Sequence, residues 1–445
     1  MVSAKEPSRS VKILIVSQYW YPENGVPQRR WMWLTKILVD AGHEVSVIAP
    51  PPHYERKIPI SRWLATAALR SHRTTETGPS QERIIRSGYF PAGSSLTQRV
   101  LNQAVVAASM LAVSLSPWSE AGKLRPDVVI GTVPALPTAT VTQLIARLKR
   151  VPYVIDLRDA WPELLHENRN WNAATGRRSL REKLLRRGPL QAVTAVTGRA
   201  VTSALKHASA VLTTSEQLAL QLRQQEKGST GKRTRDVVTI RNVFPQRTQL
   251  DTQPPKAREH DGLNVLYAGT FGRAQRLENA LVAAHLAQEM GVKVKLRFVG
   301  DGVSWTMLRD KAAQLGLDVD FHHRIPAGEL ENYYSWADTA MVHLTDWKPL
   351  DWTVPSKTFE LMELGIHISG VLSGEAAELI TQLEAGDVVP PERPEELARL
   401  WKSLAEDRTK LQVSEDGRQW VKEQRDKHAP QTLLDVLGRA ASRQP

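Results

Sequence analysis

Short unbroken runs of β-branched and aliphatic residues recur along the chain, each followed by a stretch with helical spacing. Val11–Ser17 (VKILIVS) is the first such run, and it reads as a strand buried on both faces, as in a parallel sheet. The loop Gln18–Pro27 follows. Leu34, Ile37, Leu38 and Ala41 then recur at helical spacing, and Gly42 suits the position just past a helix end. Val45–Ala49 is the next strand and completes one strand–helix–strand unit.

The alternation returns at strand Asp127–Gly131, a helix through Gln143–Lys149, and strands Tyr153–Leu157 and Ala210–Thr213. Residues 246–261 are polar with a proline pair, which marks a linker. Beyond it the pattern restarts: strand Leu263–Ala268, an amphipathic helix Leu277–Met290 ending at Gly291, alternation from Val292 to Phe298, and strands Ala340–Leu344 and Ile366–Gly370. Repeated strand–helix alternation implies doubly wound parallel sheets, an α/β class. A chain of 445 residues also exceeds what one hydrophobic core usually holds. The expected organisation is a Rossmann-like domain over 11–245, a linker over 246–261 and a second Rossmann-like domain over 262–412.

Composition narrows the function classes. With 41% apolar and 24% charged residues, the chain fits a globular protein and not a disordered one. The absence of cysteine excludes disulfide, thiol and zinc-thiolate chemistry. The 59 basic residues outnumber the 47 acidic ones, giving +12, which favours an anionic partner: nucleic acid, an acidic membrane surface or a phosphorylated substrate. Met1–Ser10 lacks the apolar centre of a signal peptide, and no run is long and apolar enough for a spanning helix. A cytoplasmic location is therefore expected. Two segments fit the alternation poorly, 57–116, which contains the apolar run Val105–Leu115, and the arginine-rich 177–187. Each has two readings: a basic amphipathic helix on the inner, anionic face of a membrane, or a core helix and a solvated surface.

The candidate chemistry lies just after predicted strands, where doubly wound sheets bind ligands. The first loop holds Glu23, Asn24 and Gly25 and lacks a G-x-G-x-x-G pattern, so a standard dinucleotide site is not supported. Asp156, Arg158, Asp159 and Glu163 follow the strand YVI. Clustered charges there need pairing or a cleft, so they either hold a sugar, supply a base and stabilise charge, or form an arginine–carboxylate structural pair. The second half opens with Gly269-Thr270-Phe271-Gly272-Arg273-Ala274-Gln275-Arg276. Two glycines, a helix start and two arginines suit a diphosphate. Gly300-Asp301-Gly302 is either a nucleotide-facing loop or a tight turn. Lys357 and Glu360 share one face of a helix start. They read either as phosphate and ribose contacts or as a local ion pair. His322, His323, His343 and His367 lack zinc-ligand spacing, so no metal is expected.

Taken in order, VKILIVSQYWYPENGVPQRR, RPDVVIGTVPALPT, PYVIDLRDAWPE, VLYAGTFGRAQRLENAL, FVGDG, VPSKTFELMELG and GEAAELI resemble the family-4 glycosyltransferases of the GT-B fold. The likeness is to bacterial enzymes of O-antigen, capsule and exopolysaccharide assembly, and it runs over about residues 11–440. It implies an acceptor domain first, a nucleotide-sugar domain second, retention of configuration and no metal. It implies that Gly25 lies near the donor phosphates, that Arg158 and Asp159 line the cleft, and that Arg273 binds phosphate. Glu360 matches the second glutamate of the family's E-x7-E motif, a ribose ligand, and residues 413–440 resemble a helix that crosses back onto the first domain. The implied partners are a nucleoside-diphosphate sugar and a lipid-linked or glycan acceptor, with no cofactor.

The chain departs from the family pattern at three places. Trp352 stands eight positions before Glu360, with Asp351 beside it; Val26 follows Gly25; and Gln275 and Arg276 occupy the neighbourhood of a usual lysine. Arg276 or Lys357 is then the expected replacement charge. The alternatives are an epimerase or phosphorylase of related fold, or a non-catalytic basic membrane- or nucleic-acid-binding protein. Strands rich in aromatics for base stacking are not evident, so nucleic acid is not expected.

Overall fold

All nine strands predicted from the apolar runs are present in the computed structural model, which describes residues 10–53, 63, 75–91, 96–164, 189–227, 235–245, 261–326 and 329–443. The first sheet holds β1 (Lys12–Val16), β2 (Glu44–Ala49), β3 (Thr75–Thr77), β4 (Arg83–Arg86), β5 (Val128–Val133), β6 (Tyr153–Leu157), β7 (Ala210–Thr213) and β8 (Asp236–Thr239), in the order β3-β4-β2-β1-β5-β6-β7-β8. Only β3 runs antiparallel to its neighbour. The second sheet holds β9 (Leu263–Ala268), β10 (Val294–Val299), β11 (Val319–His322), β12 (Thr339–His343), β13 (Ile368–Val371) and β14 (Gly386–Val389), all parallel, in the order β11-β10-β9-β12-β13-β14.

The helices of the first half are α1 (Val26–Asp40), α2 (Leu96–Leu115), α3 (Glu120–Lys123), α4 (Pro137–Lys149), α5 (Pro189–Lys206) and α6 (Glu216–Lys227). Those of the second are α7 (Glu278–Glu289), α8 (Trp305–Gln314), α9 (Leu330–Trp336), α10 (Ser356–Leu364), α11 (Glu375–Gln382), α12 (Pro394–Glu406), α13 (Asp416–Glu423) and α14 (Ala429–Ser442). Strands β3, β4, β8, β11 and β14 were not predicted. All are short, all five lie at or next to a sheet edge, and β3 is exposed throughout, so they carry no long apolar run.

The strand order reverses between β1 and β5 in one sheet and between β9 and β12 in the other. These are the switch points at whose carboxyl ends such sheets open a crevice. The two carboxyl edges face one another. Ser215, before α6, donates its hydroxyl to the carbonyl of Trp352, and Glu375 at the start of α11 accepts from the backbone amides of Glu216 and Gln217 at 3.1 and 2.7 Å.

Each sheet is covered on both faces by apolar side chains. The last helix belongs spatially to the first domain. Leu433, Val436 and Leu437 of α14 are buried against Ile13, Trp31 and Val128, and Arg439 and Arg443 pair with Asp236 at 2.9 and 3.1 Å. Val421 of α13, by contrast, is buried in the second domain. Residues 246–260 of the expected linker and all of 177–187 lie outside the described residues, as do 57–62, 64–74 and 92–95 of the segment 57–116.

One buried ion pair locks α1 to the sheet. Arg30 is fully buried and its guanidinium reaches Asp156 at 2.9 Å. Its Nη1 donates to the carbonyls of Ile240 and Arg241 at 2.8 and 3.3 Å and to Asn242 Oδ1 at 3.1 Å, while Trp31 Nε1 donates to Asp156 at 2.8 Å. Asp156→Asn would leave the guanidinium buried without its counter-charge. Urea unfolding is expected to show a loss of about 3–5 kcal/mol.

Candidate active site

The first wall of the cleft is the loop after β1. Glu23 is buried and accepts from Gln28 Nε2 at 3.3 Å, while Asn24 is exposed. Gly25 is extended at the N-cap of α1, Pro27 sits in the first turn, and that turn holds no acidic residue. A proline there is preset for a helix, and a helix start without carboxylates leaves its positive pole free for an anion. Beside the loop lies a polar cluster that the sequence did not flag. Gln18 Nε2 donates to Asn102 Oδ1 at 2.9 Å. His53 is buried against the Tyr89 ring at 5.1 Å, with Nδ1 at 3.0 Å from the carbonyl of Pro51 and Nε2 without a partner. Burial pushes the His53 imidazole below its usual range. No apolar periodicity or motif points to these residues, because they meet only at the sheet's edge.

The charged cluster after β6 splits into two functions. Asp156 is the structural half, taken by Arg30 and Trp31. Arg158 is also buried, yet its Nε and Nη1 have no hydrogen-bond partner. Burial lowers its pKa to about 10. Burial likewise raises the carboxyl of the adjacent Asp159. Glu163 is held by Gln225 at 3.0 Å.

The second wall is a pair of glycine loops closed on one another. A Cβ on Gly300, whose φ is +150°, would lie 1.8 Å from the carbonyl oxygen of Gly269, and one on Gly302 would lie 2.1 Å from that of Phe271. Glycine is required by this contact, because the backbone amide of Phe271 bonds the carbonyl of Asp301 at 3.0 Å. The Asp301 carboxylate faces His323 Nδ1 at 2.6 Å and the Arg324 amide at 3.1 Å. The two arginines of the loop differ. Arg276 adopts a positive φ of 38° and pairs with Glu392, which also accepts from Thr345 at 2.9 Å. Arg273 keeps a buried Nε with no partner. Near them, at the end of β12, His343 is buried with neither ring nitrogen partnered. Burial lowers its pKa to about 4.

At the start of α10 the Lys357–Glu360 pair is real, at 2.9 Å. Tyr334 donates its hydroxyl to Glu360 at 2.6 Å and accepts from Lys357 at 2.8 Å. Burial alone would push the Glu360 carboxyl up; Lys357, Tyr334 and the more distant Arg29 of the first domain outweigh it and hold the carboxyl below its ordinary value. Asp351, beside the position of the absent glutamate, accepts from Lys348 at 2.8 Å and Ser373 at 2.5 Å. Trp352 packs against the first domain's core. Glu375 is buried and pairs with Arg241 from the other domain. The structure thus places Glu23, Gly25, Arg158 and Asp159 along the first sheet's carboxyl edge and Arg273, Gly300, Lys357 and Glu360 along the second. Arg276 and Asp301 are engaged by neighbours of their own domain. Among the described residues, no three His, Asp or Glu side chains converge as a metal-binding group.

Two parallel-sheet α/β domains with facing carboxyl edges define a GT-B architecture. A family model described as glycosyl transferase 4-like domain matches residues 25–238, and one described as glycosyl transferases group 1 matches 250–425. The chain belongs to the glycosyltransferases. Among solved structures it is similar to sucrose-phosphate synthase of Thermosynechococcus elongatus, at 16% identity and TM-score 0.64, covering 96% of this chain and 98% of that one. It is also similar to HepE of Anabaena in complex with UDP-glucose, at 15% identity and TM-score 0.60, covering 96% and 99%. A third is WaaG, a glycosyltransferase involved in lipopolysaccharide biosynthesis, at 14% identity and TM-score 0.53, covering 96% and 98%. No curated protein matches the chain in sequence.

Two predictions follow from the site's charges. At neutral and higher pH, His343 is uncharged in both the folded and unfolded chain. Between about pH 6.5 and 4 only the unfolded chain takes up the proton, so stability falls by about 3 kcal/mol across that window. His343→Gln is expected to flatten this part of the stability–pH curve measured by urea unfolding. Glu375→Ala removes the counter-charge of Arg241 and the cap of α6, so the radius of gyration from small-angle X-ray scattering is expected to increase.

Proposed function

We propose that the protein transfers a glycosyl group from a nucleoside-diphosphate sugar to a lipid-linked saccharide or glycan precursor, with retention of configuration, as a family-4 enzyme. The observation that carries this reading is the pair of arginines, Arg158 and Arg273, one after a central strand of each sheet: Nε and Nη1 of the buried Arg158 and Nε of the half-buried Arg273 are enclosed with no protein group to accept from them. A buried donor without an acceptor is costly unless a ligand completes it, and a guanidinium favours an anion. The HepE structures hold UDP-glucose or UDP, and that supports a uridine nucleotide as the first ligand to test.

In this mechanism Arg273, the glycine-loop amides and the α1 start meet the charge that develops on the departing diphosphate. Lys357 supplies a further cation, and Arg276 holds the loop through Glu392. Glu360, ionised and held by Lys357 and Tyr334, anchors the ribose hydroxyls. Asp159 and Arg158 shape the sugar side, and Glu23 and Asn24 face the acceptor. These cations are the proposed source of charge neutralisation, with no metal and no cofactor required. Closure of the two domains excludes water and limits hydrolysis of the donor.

Calorimetric titration with UDP and with other nucleoside diphosphates tests the site. Arg273→Ala with Lys357→Ala is expected to weaken binding about a hundredfold or more, since each charge-assisted bond contributes about 1.5–3 kcal/mol. Unchanged affinity would refute the assignment. The anomeric coupling constant of the product by proton NMR tests retention.

A further inference from the structure

Helix α2 is apolar on both of its long faces. Its inner face buries Val106, Met110 and Val113 in the first domain's core. Its outer face, one helical stripe away, presents Leu101, Ala104, Ala108, Ala112 and Leu115, all exposed. No charged residue occurs from Leu101 to Leu115. A helix that packs on one side and meets water on the other normally carries charge on its outer face, so this stripe is made for a second apolar contact.

The stripe continues beyond the helix. Trp118 is 89% exposed, and the neighbouring α4 and α5 add Leu148 at 61% and Val196 at 63%. Helix α4 adjoins this end, because Lys149 Nζ donates to the carbonyls of Ala121, Gly122 and Leu124 at 3.1 to 3.3 Å. The charges around it are predominantly basic. Helices α2 to α5 hold six basic residues and one acidic residue, Glu120. Glu120 is already paired with Arg83 and Lys123 at 3.0 Å each. Among the described residues no helix is long and apolar enough to cross a membrane.

We propose that the outer face of α2, with Trp118, is a docking surface for an anionic lipid bilayer, on which the helix lies in the plane of the interface. The apolar stripe enters the acyl boundary, Trp118 sits at the headgroup level, and Lys123, Arg147, Arg150 and Arg199 meet the anionic headgroups. At some 30 Å long, the helix gives a line of contact rather than a point. Its first turns reach the cleft, since Asn102 is bonded to Gln18 just after β1. Docking therefore brings the acceptor side of the cleft to the lipid surface. The inference deepens the proposed transfer to a lipid-linked acceptor and rests on it for its purpose, while the surface itself stands on its own residues.

The test is co-sedimentation of the full chain with vesicles of phosphatidylcholine alone and of phosphatidylcholine with phosphatidylglycerol, at near-physiological salt and without nucleotide. The wild type is expected to bind the anionic vesicles and to bind neutral ones more weakly. The triple variant Leu101→Gln, Leu115→Gln, Trp118→Gln changes only exposed positions and is expected to lower the partition coefficient about tenfold or more. Its Tm and its nucleoside-diphosphate affinity are expected to remain those of the wild type. Failure of the wild type to bind anionic vesicles overturns the proposal, as does equal binding by the triple variant. A wild-type dimer in analytical ultracentrifugation that the triple variant abolishes also overturns it, by assigning the face to a second copy of the chain. Failure of the glycosyl-transfer reading would show instead as loss of nucleotide binding in the wild type, a separate measurement.

Discussion

The buried pairing of Arg30 with Asp156 is the contact on which the working edge of this molecule depends. Two charges removed from water need nearly complete satisfaction, and here they have it: the carboxylate also takes the Trp31 indole, and the guanidinium also takes the carbonyls of residues 240 and 241 and the Asn242 side chain. Three separate stretches of chain are thereby set against each other, namely the start of α1, the end of β6 and the strand exit after β8. Gly25 caps the same helix and Arg158 follows the same strand, so the pair sets the spacing between two parts of the cleft wall.

The same strand exit carries the constraint into the second domain. The backbone of Arg241 serves Arg30, while its side chain pairs with Glu375 and lies over the Trp420 ring at 5.3 Å. Glu375 in turn caps the start of α6. With Trp352 packed on the first domain's core, residues from both walls hold the cleft together at one end. Eight positions before Glu360 stands Trp352, an indole that bridges the domains. Its neighbour Asp351 is bonded within its own domain and is not a free carboxylate.

Charge matching distinguishes the residues that shape the site from those that are left to act in it. Arg276, Asp301 and Asp156 each have a protein partner of complementary character. Arg158 and Arg273 keep buried donors without one. Lys357 and Glu360 are paired, and Tyr334 between them ties both side chains to α9, so the carboxylate is ionised and oriented rather than loose.

What the sequence by itself determined is the alternation of elements. Runs such as VKILIV, YVIDL and LNVLYA are apolar at every position because parallel strands are buried on both faces, and that signal survives without any knowledge of neighbours. The glycine loops and the ion pair at Lys357 and Glu360 were legible for the same reason: their physics is local, within three or four residues. The tertiary structure alone decided the partners. Asp156 chose Arg30, which lies 126 positions away, rather than the adjacent Arg158, because the fold brings α1 across the end of β6. Likewise Val105–Leu115 carried two readings in the sequence, core helix or membrane surface. Folding buried Val106, Met110 and Val113 and left Ala108, Ala112 and Leu115 exposed, since the spacing is apolar all round and only the sheet beneath it selects which face is buried.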